Sequence, residues 1–320
     1  MLKIVASLVV VISAFCSAAI AQEFPTKPVR IIMPYATGSA TDLLVRQITP
    51  AMSKILGQQV IVEPKPGASG LIAYAYVAKQ VPADGYTLVI AEQGSLATLP
   101  LFVKNAGLEP RKDLLPIAIM AESPITLVSP QGVSWNSFAE MIAYAKANPG
   151  KINYATPGAQ TLQALFADVF KQRLGAEMTV VPYKGGASEM VPAILANTVQ
   201  LAVFNAVTAQ DQRERIKVLG VTGNERLPGF PNVPTFNELG LREIASALLT
   251  LDGPAATPTP VVRKLHDAFM RSITSPEVRP ILEKGGRRIV LADHDATVKM
   301  VADVHRFATE AAQRAGIKPE

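Results

Sequence analysis

Pro34-Tyr35-Ala36-Thr37-Gly38-Ser39-Ala40-Thr41-Asp42 is the stretch on which the reading of this chain turns. Apolar Val29 to Met33 before it reads as a strand, and a helix opens after it at Leu43. A turn rich in Gly, Ser and Thr at such a joint aims backbone N–H groups and hydroxyls outward. The helix N-terminus adds partial positive charge, which suits an anion such as a carboxylate. The arrangement recurs further on, with Ile152 to Ala155 as strand, Thr156-Pro157-Gly158-Ala159-Gln160-Thr161 as turn and Leu162 onward as helix. One such loop alone is equally an ordinary strand-to-helix turn. Two of them suggest cradles opposed across a cleft.

Working outward, the first hundred residues alternate strand and helix: Val29 to Met33, a helix with Pro50 inside its apolar pattern, Val60 to Val62, an Ala/Tyr-rich helix to about Gln80, and Tyr86 to Ala91. Proline there should kink or divide the first helix. The alternation argues for a parallel sheet covered on both faces. The middle repeats it, with a capping-box spacing at Ser137 and Glu140, an apolar stripe from Leu162 to Phe170 stopped by Gly175, and strands at Thr179 to Pro182, Leu201 to Phe204 and Lys217 to Val221. After Leu248 to Leu251 the chain reads as helices around one short strand, Arg288 to Leu291.

Residues 1–21 read as an export signal: Lys3, the apolar run Ile4 to Ala14, and Ala19-Ile20-Ala21 before Gln22. The run is too short to span a membrane. Phe15 before Cys16 does not fit a lipoprotein site. Cleavage removes Cys16, the only cysteine, so the mature chain has no disulfide or thiolate chemistry. It keeps 299 of 320 residues, enough for two lobes, and a net charge of +4 because Lys3 is the one charged residue lost. The cationic clusters Arg213/Arg215/Lys217 and Lys284/Arg287/Arg288 read as solvated faces. With aromatics at 6%, nothing suggests nucleic-acid binding.

Catalytic motifs are absent. Gly67-Ala68-Ser69-Gly70 falls short of a nucleophile elbow, and no Walker loop, dinucleotide glycine pattern or His-Glu-x-x-His occurs. Ser188 near Lys184 is the least implausible hydrolase pair, without an evident oxyanion donor. Asp293-His294-Asp295 places adjacent side chains that point apart, so no metal or other cofactor is expected. His266 and His305 read as ordinary partly buried side chains, and Lys184 as a surface lysine or a partner for a second carboxylate.

Eight segments in order resemble one family: Pro25 to Arg30, Pro34 to Asp42, Pro66-Gly67-Ala68, Asp84 to Leu88, Ala143 to Tyr154, Val181 to Gly186, Pro231 to Thr235 and Ala315 to Glu320. The chain resembles the periplasmic solute-binding proteins of tripartite tricarboxylate transporters, the Bug or TctC family. The resemblance implies a two-lobed α/β type II periplasmic-binding fold with crossover strands and a closing cleft that holds a small organic acid. It implies lobe 1 at residues 22–125 plus 248–320 and lobe 2 at 126–247, a membrane permease as partner and, most simply, a monomer in the periplasm. Ligand contacts carry over to Tyr35, Thr37, Gly38, Ser39 and Thr41 in the first lobe. In the second they fall on Thr156, Gly158, Ala159, Gln160 and Thr161, with Asn205 aligned loosely; Asp42 is expected to bond first-turn amides rather than the anion. Departures from the family pattern are Ser39, Gln160 and Thr161, Ala164 in place of a histidine, and Leu248-Leu249 in place of an aromatic pair. They imply a ligand bulkier or less polar than citrate or an acidic amino acid. A sensory receptor for a membrane signalling protein, and more remotely a secreted hydrolase, are the other readings.

Overall fold

The protein is described by a computed structural model at residues 24–103, 106–159, 161–183, 185–241, 244, 246–284, 287–314 and 316–317. The export signal, Gln160 and Lys184 therefore lie outside the described residues.

In chain order the first lobe contains β1 (Val29–Met33), α1 (Ala40–Leu56), β2 (Val60–Pro64), α2 (Leu71–Lys79), β3 (Thr87–Glu92), α3 (Gln93–Phe102), α4 (Pro110–Asp113) and β4 (Leu114–Ser123). The second contains β5 (Ile125–Pro130), α5 (Phe138–Ala147), β6 (Ile152–Thr156), α6 (Leu162–Leu174), β7 (Met178–Pro182), α7 (Ala187–Leu195), β8 (Leu201–Asn205), α8 (Ala206–Asp211) and β9 (Ile216–Val221). The chain then returns through β10 (Ala247–Pro254) to α9 (Thr259–Ile273), α10 (Arg279–Lys284) and α11 (His294–Arg314).

Each lobe is built on five strands, in the orders β2-β1-β3-β10-β4 and β7-β6-β8-β5-β9. The strand-helix alternation yields parallel neighbours at β2-β1-β3 and β7-β6-β8. The parallel sheet expected from the first hundred residues is present at β2-β1-β3, and antiparallel neighbours enter with the crossover strands. β10 runs antiparallel to β3 and β4, and β5 antiparallel to β8 and β9.

Local chemistry sets the helix ends. The Ser137 hydroxyl accepts the Glu140 N–H at 3.2 Å, and the Glu140 carboxylate accepts the Asn136 N–H at 2.8 Å, closing α5 at its start. Gly175 ends α6 in the left-handed conformation that side chains disfavour. α1 buries Leu44, Val45, Ile48 and Met52 against β1, and it starts at Ala40 rather than Leu43. It also runs unbroken through Pro50. The Arg46 carbonyl, which Pro50 cannot serve, accepts the Thr49 hydroxyl at 3.3 Å, and the Pro50 ring faces solvent. Arg288 to Leu291 forms no strand; Arg288 makes one isolated bridge to Glu122.

α11 packs on α3 and β4 and also reaches α6, where Phe307 meets Phe166 edge-on at 5.5 Å between centroids. Its buried face thus belongs to the same apolar core as the second lobe.

Candidate functional site

The first loop spends much of its polarity on itself. Ser39 caps α1, its hydroxyl accepting the Asp42 N–H at 3.3 Å. The Gly38 N–H donates to Asp42 Oδ2 at 2.9 Å. Asp42 is buried and takes the Arg46 Nε at 3.0 Å; that bond above all, then the Gly38 amide and the Arg46 charge, hold its carboxyl below the ordinary range against the cost of burial. Thr37 and Gly38 are exposed, and Tyr35, Ser39 and Thr41 half-buried.

The second loop is a closed hydrogen-bonded turn. The hydroxyls of Thr156 and Thr161 both donate to the Gly158 carbonyl, at 3.1 and 2.9 Å, and Thr161 accepts the Ala164 N–H at 3.2 Å as the cap of α6. Gly158 has φ of 146°, a conformation side chains rarely adopt, so glycine permits this turn. Thr156 is fully buried, which makes it a support for the loop.

This loop borders a cavity of about 590 Å³ between the lobes. Pro157, Gly158, Ala159, Thr161 and Gln163 form one wall. The facing wall is the first turn of α3, with Glu92, Gly94, Ser95 and Thr98, together with Tyr74. None of Tyr35, Thr37, Gly38, Ser39 or Thr41 lines it. The second loop therefore faces α3, not the first loop. Asn205 caps α8, accepting the Thr208 N–H at 2.8 Å, and lines a smaller cavity of about 180 Å³. That space adjoins the larger one through Pro157, Gln163 and Ala247.

Sequence reasoning passed over Glu92. Its carboxylate accepts the N–H groups of Gly94 (3.0 Å) and Ser95 (2.8 Å) and the Ser95 hydroxyl (2.6 Å), so a built-in anion occupies the start of α3. Glu92-Gln93-Gly94-Ser95 following an apolar strand is a third strand-to-helix joint, the very signal used for the other two loops.

Behind Glu92, buried Gln93 ties α3 to β10 and α11. Its amide nitrogen donates to Thr250 Oγ1 at 2.7 Å and Asp252 Oδ2 at 3.0 Å. Its carbonyl oxygen lies 3.0 Å from His305 Nε2, which therefore carries the proton. Asp252 Oδ1 has no hydrogen bond among the described residues. Burial pushes the Asp252 carboxyl up to about 6, with the Thr250 and Gln93 bonds pulling back. Burial, aided by Arg111, lowers the His305 imidazole to about 4.

Tyr35 sits where both Glu92 and Arg287 act on it. Burial and then the Glu92 charge raise its phenol well above the ordinary value, while Arg287 opposes them. The cationic clusters are not simply solvated faces. Lys217 Nζ donates to the carbonyls of Val133 and Trp135, each at 2.9 Å. Arg287 and Arg288 are half-buried and line another cavity, of about 630 Å³, beside Pro124 at the crossover. Burial draws chains of such cations inward only when packing demands it, which charge spacing alone does not reveal. Among the described residues, no group of three or more His, Cys, Asp or Glu could hold a metal ion.

Known proteins place this architecture. The chain is 34% identical over 273 residues to the UPF0065 protein of the gbd 5' region of Cupriavidus necator, covering 85% of this chain and 83% of that one. Its fold matches an R. palustris protein solved with adipate, at 30% identity and TM-score 0.72, over 93% of this chain and all of the other. It likewise matches MatC from Rhodopseudomonas palustris with bound malate, at 28% identity and TM-score 0.67, over 91% and 99% of the two chains. Residues 44–316 match the model of the tripartite tricarboxylate transporter family receptor (TctC), and the chain belongs to that family.

Proposed function

We propose that this chain is a periplasmic receptor that captures a small organic acid between its two lobes and delivers it to a permease of the tripartite tricarboxylate type. The observation that carries this is the cavity walled by the Pro157–Gln163 segment on one side and the α3 turn on the other. Its volume suits a small ligand. Adipate and malate in the similar proteins supply the ligand class. Because Glu92 already occupies the start of α3, the ligand's carboxylate falls to the α6 side, near Gly158, Ala159, Gln160 and Thr161, where the helix N-terminus favours it. The acidic wall repels a second or third carboxylate, in keeping with a ligand less charged than citrate.

We assign residues 22–125 with 248–320 to one lobe and 126–247 to the other, in line with the residues of the two sheets. The crossovers are laced together, with the Ile125 N–H and the Ser246 hydroxyl each donating to Thr222 Oγ1 at 2.8 Å. Ligand touching both walls favours a closed form by its differential affinity for that form. The first loop, Tyr35 to Thr41, and Asn205 meet the ligand as the lobes close. Export by residues 1–21 puts the receptor in the periplasm. We read it as non-catalytic; among the described residues the Ser188 hydroxyl donates to the Gly185 carbonyl at 2.9 Å.

A thermal-shift screen against mono-, di- and tricarboxylates, aromatic acids included, tests the proposal. An acid at a hundredfold its Kd adds about 2.7 kcal/mol to stability. Silence from every acid, or turnover of an ester substrate, refutes it.

A further inference from the structure

The cavity of about 630 Å³ is lined by four arginines, Arg226, Arg279, Arg287 and Arg288. Carboxylates answer three of them. Arg226 meets Glu238 at 3.0 Å, Arg279 meets Glu283 at 2.7 Å, and Arg288 meets Glu122 at 3.1 Å while also donating to the Glu225 carbonyl at 2.9 Å. Arg287 differs. It is half-buried and has no ion pair among the described residues, although its backbone N–H is fixed on the Leu282 carbonyl at 3.2 Å. Burial pulls its guanidinium below the ordinary value, and Tyr35 is the one group acting the other way.

A guanidinium held partly out of water without a counter-charge is costly, and an arriving carboxylate offsets that cost. The planar fork of arginine takes a carboxylate through two parallel bonds. Ala206, Leu227, Phe230 and Ile289 supply apolar lining in the same cavity, whereas Asp211 and Glu225 also line it and repel a dianion. We propose that Arg287 is the anchor of a second anion subsite, which takes a monocarboxylate with an apolar body beside the crossover. This subsite shares no lining residue with the cavity at the second loop.

Isothermal titration of benzoate, phenylacetate and hexanoate into the wild type, Arg287→Gln, Arg287→Lys and Arg263→Gln tests it. The expected result is wild-type binding of at least one acid, weakened about 10- to 100-fold by Arg287→Gln. Arg287→Lys should lose less, and Arg263→Gln, an exposed arginine of α9 that lines neither cavity, should bind as the wild type does. Unchanged binding in Arg287→Gln overturns the subsite while leaving the receptor proposal standing. So does a loss in Arg263→Gln equal to that in Arg287→Gln, and so does wild-type protein that binds none of the three. If Arg287→Gln does not fold, bromide-soaked wild-type crystals decide: an anomalous peak on the Arg287 guanidinium supports the subsite, and none there overturns it.

Discussion

Asp252→Asn should stabilise this protein at neutral pH, an unusual outcome for a buried polar substitution. With a folded value of about 6 against an ordinary 3.8, the ionised Asp252 costs the fold about 3 kcal/mol above pH 7, at 1.36 kcal/mol per unit. Asparagine keeps an acceptor for Gln93 and abolishes the charge. The pH dependence carries the sign. Between 3.8 and 6 the folded state holds the Asp252 proton more tightly, so stability from this group falls as pH rises through that window. His305 works oppositely: its folded value of about 4 lies below the ordinary 6.5, so its contribution is lost as pH falls from 6.5 to 4, again about 3 kcal/mol. In the wild type the two nearly cancel. Urea denaturation between pH 4 and 8 separates them. Asp252→Asn should exceed the wild type by about 3 kcal/mol at pH 7.5, roughly 6 °C in Tm, and by little near pH 3.5. His305→Gln should diverge from the wild type in the opposite direction as pH falls. An Asp252→Asn advantage that is absent, or constant across pH, refutes the reasoning.

Three further outcomes follow from single contacts. Phe307→Ala empties the edge-on contact with Phe166 and should lower unfolding free energy by about 3–5 kcal/mol in denaturant melts. Thr161→Ala removes the cap of α6 and should cost about 1 kcal/mol by the same measure. Glu92→Gln relieves the acidic wall and should raise adipate affinity roughly tenfold in calorimetry, with a smaller gain for a monocarboxylate.

Much of the fold was legible because its signals are local. β1 begins and ends as its apolar run does, Ser137 and Glu140 close α5, and Gly175 stops α6. Pro50 does not divide α1, and the Thr49 hydroxyl that takes up the Arg46 carbonyl lies one residue away and reads as a neutral helix position. The segment Arg288 to Leu291 has strand composition, but its neighbour Glu122 is remote in sequence, so one bridge was indistinguishable from a ladder. The site was less legible for a related reason. Loop chemistry marks Gly158 and Thr161 as special, yet which surface faces them depends on how two lobes dock. Docking placed Glu92 and Ser95 there, and Arg287 in a neighbouring cavity, through contacts between residues far apart in the chain.

The central claim is tested most directly by a crystal structure of the protein with an acid selected from the screen. The account predicts a carboxylate against the Gly158–Thr161 turn, with the same molecule touching the first lobe and the lobes closer together. Density confined to one lobe, or a saturated protein with empty space between the lobes, would contradict it.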